Sequence, residues 1–152
     1  MIMKKLLYLR KADIDDMLLL FEWANNSAVR NNAFNSEPIL LERHTKWYYN
    51  LLSDPNRYQY ILMLGEKPIG QIRLDCAEDF AEIDYSISSE FRNKGYGAVL
   101  LDLIKEEVKT KIPKVTRLIA KVKTGNKASE ACFLKSRFDS IYSCFEYRIE
   151  RE

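Results

Sequence analysis

From Ala81 to Ile87 apolar and polar positions alternate, with Ile83, Tyr85 and Ile87 on one face and Glu82, Asp84 and Ser86 on the other. A period of two predicts a strand. From Gly97 to Lys109 the spacing changes: Leu100, Leu101, Leu103, Ile104 and Val108 recur at helical intervals. Between strand and helix lies Arg92-Asn93-Lys94-Gly95-Tyr96-Gly97. Upstream, Leu6–Arg10 reads as a short strand, and Asp13 can cap a helix over Ile14–Ala24. Asn25–Pro38 is polar and reads as a long loop, and Leu41–Leu52 as a second helix. Tyr58–Leu64 and Ile69–Leu74 flank the turn Gly65–Pro68, and with the Ala81 strand they predict an antiparallel meander. Pro113 ends the central helix. A strand over Leu118–Val122, a helix over Lys127–Lys135 and an alternating strand over Ile141–Ile149 complete the pattern.

The order is β-α-α-β-β-β-α-β-α-β. It predicts an α/β (α+β) domain with a mixed, mostly antiparallel sheet and helices on both faces. At 152 residues one domain spanning 1–152 is expected. A net charge of +2 gives no reason to expect nucleic acid or an anionic membrane as partner. No apolar run approaches a membrane span and no signal-peptide pattern is present. Cys76, Cys132 and Cys144 are scattered, as expected of reduced thiols in a cytoplasmic protein. With His44 the only histidine, no metal site is expected.

The turn at Arg92–Gly97 carries chemistry. A helix N-terminus offers unpaired N–H groups and a partial positive charge. Two glycines let the backbone approach an anion closely. Arg92 and Lys94 add full charges, so the stretch suits a phosphate or pyrophosphate. It is neither a Walker loop, since no GxxxxGK[ST] exists, nor a dinucleotide fingerprint, since Leu100 stands where a third small residue belongs.

R-x-x-G-x-G after an alternating strand resembles the pyrophosphate loop of the GNAT N-acetyltransferase superfamily. Asn126, Ser129, Lys135 and Phe138 resemble that superfamily's downstream N-x-x-S…K-x-x-F helix. The resemblance covers almost the whole chain. It implies acetyl-CoA as acetyl donor, with its pyrophosphate on Arg92, Asn93, Lys94, Gly95, Tyr96, Gly97 and Ala98. It implies a pantetheine arm along the backbone of Tyr85, Ser86 and Ile87, in the opening between that strand and the one at Leu118. Asn126, Ser129, Phe133 and Lys135 would complete the coenzyme site. Many members carry Tyr seven residues after the motif Asn, as the acid for the leaving thiolate; here that position is Phe133. Tyr142 or water would then supply the proton.

Acetyl transfer needs a base for the amine and a donor for the oxyanion. Glu82, Asp84 and His44 are the candidate bases, and an N–H near Ile87 the candidate donor. The set Trp23, Asn25, Arg30, His44, Trp47 and Arg73 resembles the acetyltransferases of pseudaminic and legionaminic acid biosynthesis. That resemblance implies a UDP-linked 4-amino-deoxy sugar as acceptor, contacted by Asn25, Arg30, His44, Trp47 and Arg73. A protein N-terminus or a polyamine is the alternative acceptor, and a non-catalytic coenzyme A sensor the alternative role. A homodimer is common in the superfamily.

Overall fold

The computed structural model describes residues 6–151; the expected domain span of 1–152 therefore includes residues, 1–5 and 152, that lie outside the described ones. Five strands form one sheet in the order β1-β2-β3-β4-β5. They are β1 (Leu7–Lys11), β2 (Arg57–Leu64), β3 (Lys67–Ala77), β4 (Phe80–Ile87) and β5 (Arg117–Ile119). The first four pair antiparallel, and β5 joins β4 in parallel. The helices are α1 (Met17–Ala24), α2 (Ser27–Asn32), α3 (Leu41–Ser53), α4 (Tyr96–Lys111) and α5 (Lys127–Lys135).

Strand alternation sorts the sheet's side chains onto two faces. On one face Tyr60, Leu62, Ile72, Leu74 and Ile83 bury with Leu100, Leu101 and Ile104 of α4 and Phe133 of α5. On the other, Ile61 and Met63 pack under Leu20 of α1 and Tyr48 and Leu51 of α3. Helices therefore cover both faces, as the sequence predicts. Asp13 starts the first helical turn with a capping box closed by Asp16. Asp16 also accepts two 2.8 Å bonds from Arg10 on β1.

Three expectations change. The Asn25–Pro38 loop contains α2, started by Asn26, whose side chain accepts from the Ala28 N–H. The strand expected over Leu118–Val122 forms ladder pairs only over Arg117–Ile119. The strand expected over Ile141–Ile149 does not form; the stretch is exposed and irregular. A strand needs a neighbour for its backbone groups, and among the described residues no strand of the sheet lies beside this one.

Candidate active site

β4 and β5 part company early. Their pairing runs from Phe80↔Arg117 to Glu82↔Ile119 and stops there. The Ser88 N–H donates to Ile69 O on β3, so by alternation the N–H groups of Tyr85 and Ile87 point the other way, toward β5. Past Glu82 no β5 strand stands beside them. They open into a cavity of about 780 Å³. Ala120–Lys123 form its far wall, α4 and α5 one flank, and α1–α3 the other.

At one end lies the basic turn. Gly95 caps α4 with φ +85°, a conformation that favours glycine, and Asn93 also has positive φ. Arg92 is held in place: Nε donates to Ile87 O at 3.0 Å and Nη2 to Asn26 Oδ1 at 3.2 Å. Asn93, Gly95, Tyr96 and Gly97 line the cavity with it. The Lys94 ammonium sits 5.7 Å from the Phe91 ring. A Cβ on Gly97 would lie 3.0 Å from Cys132 Sγ and 3.5 Å from the Tyr85 ring, so this glycine lets α4 approach α5 and β4 closely. Lys135 is exposed on α5 and does not line the cavity. Asn126 caps α5, accepting from the Ser129 N–H at 3.3 Å. Ser129 Oγ accepts from the Tyr85 hydroxyl at 3.2 Å, while Tyr85 and Phe133 meet edge to face at 5.5 Å. Burial pushes the Tyr85 phenol well above its ordinary pKa, so it keeps its proton.

The cavity floor is the polar strip of the sheet. Gln59 Nε2 donates to Gln71 Oε1 at 2.8 Å, and Gln71 Nε2 donates to Asp84 Oδ2 at 3.3 Å and Ser86 Oγ at 3.2 Å. Arg73 reaches Asp84 at 3.9 Å and Asp75 at 3.1 Å. Trp47 lies against both Arg57, at 5.5 Å, and Arg73, at 5.2 Å. Burial alone would raise the Asp75 pKa, but the hydrogen bond from Arg57 and the charge of Arg73 outweigh it and hold it low.

The candidate residues separate in role. Asp84 faces the cavity and is mostly exposed. Glu82 pairs instead with Lys121 at 3.4 Å and does not line the cavity. His44 borders the cavity but is 3% exposed, stacked on Tyr48 and flanked by Phe21 and Trp47. Its Nε2 lies 3.0 Å from Met17 O, so that nitrogen carries the proton. Burial holds its pKa below 6.5. Asn25 spends its amide on the Ile39 backbone, donating to its O at 2.9 Å and accepting from its N–H at 2.7 Å. Arg30 braces the same loop through Ala24 O, Asn35 O and Glu37 O. Tyr142 lies in the exposed C-terminal stretch, away from the cavity lining.

Gln59, Gln71, Arg43, Lys121, Lys123 and Cys132 also line the site, although none is among the site residues expected from the sequence. Gln71 was findable. It stands two residues from Arg73, so it shares that residue's face of β3.

A family model described as an acetyltransferase (GNAT) domain matches residues 7–139. No match is found among curated proteins. Several solved structures share the fold. An aminoglycoside acetyltransferase bound to coenzyme A and kanamycin is 22% identical, with TM-score 0.76 over 88% of this chain and 84% of that one. A spermidine N-acetyltransferase from Vibrio cholerae, bound to CoA and spermine, is 17% identical, with TM-score 0.81 over 96% and 89%. A ribosomal L7/L12 alpha-N-protein acetyltransferase bound to coenzyme A is 19% identical, with TM-score 0.73 over 87% and 79%.

Proposed function

Because this chain belongs to the GNAT acetyltransferase family, we propose that it acetylates the primary amine of a small acceptor that also carries negative charge, with a UDP-linked 4-amino-deoxy sugar as the favoured case. Family membership makes it an acetyl-CoA-dependent N-acetyltransferase.

The observation behind the acceptor is the charge of the cavity wall. Among the described residues that line it, Asp84 is the one carboxylate, while Arg30, Arg43, Arg73, Lys121 and Lys123 are cations besides Arg92 of the basic turn. A polyamine would need several carboxylates to meet its ammonium groups. A diphosphate is better matched by guanidinium groups, which pair with phosphate oxygens in a fixed fork. Trp47, backed by Arg57 and Arg73, offers an aromatic face for a base or sugar. Asn25 supports this wall from behind, and Arg30 lines it while its guanidinium holds the loop through backbone carbonyls. His44 does the same through Met17.

In this reading the basic turn takes the pyrophosphate and the amides of Tyr85 and Ile87 hold the pantetheine arm. Asp84 receives the acceptor's ammonium proton, which frees the lone pair that attacks the acetyl carbon. An amide at the open edge of β4 donates to the developing oxyanion. Phe133 has no proton to give, so as the tetrahedral intermediate collapses and the C–S bond breaks, the second proton shed by the acceptor nitrogen passes through water to the departing thiolate.

The test is thiol release from acetyl-CoA with a panel of amines: UDP-4-amino sugars, polyamines and peptides with free N-termini. Turnover on the UDP-amino sugar alone is expected. Turnover confined to polyamines or peptides would overturn the acceptor and keep the chemistry. Coenzyme binding without turnover on any amine would favour a sensor.

A further inference from the structure

Two glutamines lie where a covered sheet face would ordinarily carry apolar side chains. Gln59 on β2 and Gln71 on β3 are 7% and 8% exposed. On the same face of β2, Ile61 and Met63 belong to the core under α1 and α3. A buried amide costs stability unless its polar atoms are bonded. Apolar residues at both positions would serve the sheet as well, so the fold alone does not call for this pair.

The bonds the pair makes run in one direction. Gln59 Nε2 faces three oxygens: Tyr60 O at 3.3 Å, Ile72 O at 3.2 Å and Gln71 Oε1 at 2.8 Å. Two of these are backbone carbonyls, which only accept. A reversed Gln59 amide would set its own oxygen against both, so it has one allowed orientation. Gln71 must then turn its oxygen toward Gln59 and its nitrogen away. That nitrogen donates to Ser86 Oγ at 3.2 Å and to Asp84 Oδ2 at 3.3 Å. A direction set by two backbone carbonyls is thus handed from β2 through β3 to one oxygen of a carboxylate on β4. Arg73 Nη1 approaches the same oxygen, Oδ2, at 3.9 Å. Among the described residues no hydrogen bond reaches Oδ1. The Asp84 side chain is mostly exposed, so without these contacts its carboxylate would turn about its last bond.

We infer that Gln71, its amide fixed by Gln59, is a positioning residue for Asp84: it pins Oδ2 and leaves Oδ1 as the oxygen that takes the acceptor's proton. This rests on the reading of Asp84 as the base. In that step an N–H bond of the acceptor's ammonium breaks, an O–H bond forms at Oδ1, and the electron pair stays on nitrogen for attack on the acetyl carbon. A carboxylate held in one direction keeps proton, nitrogen and acetyl carbon within reach of one another. Gln71 itself gives and takes no proton; it acts through the carboxylate.

Two measurements on the full-length chain test this. The first is proton exchange at the Gln71 side-chain amide, read by NMR on 15N-labelled protein. The wild-type amide should exchange slowly, and about threefold faster or more in Gln59→Met, which has no group to fix the Gln71 oxygen. Equal rates in the two proteins would overturn the proposal, and this measurement needs no acceptor. The second is thiol release from acetyl-CoA with a UDP-4-amino-deoxy sugar, or with spermidine or a peptide bearing a free N-terminus where that is the amine turned over. Gln71→Met should lower kcat about tenfold or more and leave both KM values within about threefold. In an Asp84→Asn background the same substitution should change kcat by less than about twofold, because no base is left to position. A glutamine that only shapes the cavity or supports the sheet would lower kcat by the same factor in both backgrounds, and that result would overturn the proposal. Loss of kcat in Asp84→Asn beside an unaffected Gln71→Met would overturn the positioning and keep the base. Wild-type kcat in Asp84→Asn would overturn both.

Discussion

Arg92 Nε donates to Ile87 O at 3.0 Å and so ties the basic turn to the end of the strand whose amides line the cleft. One side chain thus links the two parts of the proposed coenzyme site. Arg92→Ala should weaken acetyl-CoA more than loss of one surface charge would. A charged hydrogen bond contributes roughly 1.5–3 kcal/mol, or about 10- to 100-fold in affinity. Calorimetry with acetyl-CoA checks this; a change under threefold would contradict it.

Asp84 is predicted to be the base. Asp84→Asn keeps the acceptor for the Gln71 amide but cannot take a proton. It should lower kcat by about 10²-fold or more while leaving acetyl-CoA binding intact. Glu82→Gln, which breaks only the pair with Lys121, should stay within about threefold of wild type. Steady-state kinetics on both variants separates the two carboxylates.

Trp47 lies against Arg73, and in the proposed reading it orders that guanidinium for the acceptor. Trp47→Ala should raise the acceptor KM about tenfold or more and leave the acetyl-CoA KM unchanged. The contacts to Arg57 and Arg73 are each worth about 0.5–2 kcal/mol. An equal rise in both KM values would show that the tryptophan acts through the fold instead.

His44 makes stability depend on pH. Its folded pKa is depressed by burial below the ordinary 6.5, so the unfolded chain binds more protons in that range. The folded state has its full advantage above about pH 6.5 and loses it as pH falls from there toward the depressed value. The melting temperature should therefore fall on going from pH 7.5 to the acid side of 6.5. His44→Gln, which can still donate to Met17 O, should show a flatter dependence over the same range. Parallel curves for the two proteins would refute the assignment.

Gly70 sits where β3 and β4 close on each other. An added Cβ would lie 2.8 Å from Ser86 O and 2.9 Å from Ile87 Cδ1, next to the amides that line the cleft. Gly70→Ala should destabilise the protein by about 1–3 kcal/mol and raise the acetyl-CoA KM. Denaturant unfolding and kinetics check the two effects.

Much of this is legible in the sequence because local signals and tertiary burial agree. The meander, α4 and the glycine turn each have strong periodicity or turn chemistry. α2 was hidden in a polar run because its start depends on one side chain, Asn26, and it buries no residue. Asn25, Arg30 and His44 look like substrate contacts by residue type. Their actual partners are backbone carbonyls and amides, brought near by loop closure that no spacing rule encodes. The Ile141–Ile149 alternation has the period of a strand, yet no strand forms there, because backbone pairing needs a neighbour and, among the described residues, none lies beside it.

The most direct test of the whole account is a calorimetric titration of acetyl-CoA into the wild-type chain and into Arg92→Glu. The account predicts one site per chain in the wild type and at least a hundredfold loss in the variant, because the charge facing the pyrophosphate is reversed and the tie to Ile87 is cut. Equal affinity in the two proteins would contradict it and place the coenzyme somewhere other than the opening between β4 and β5.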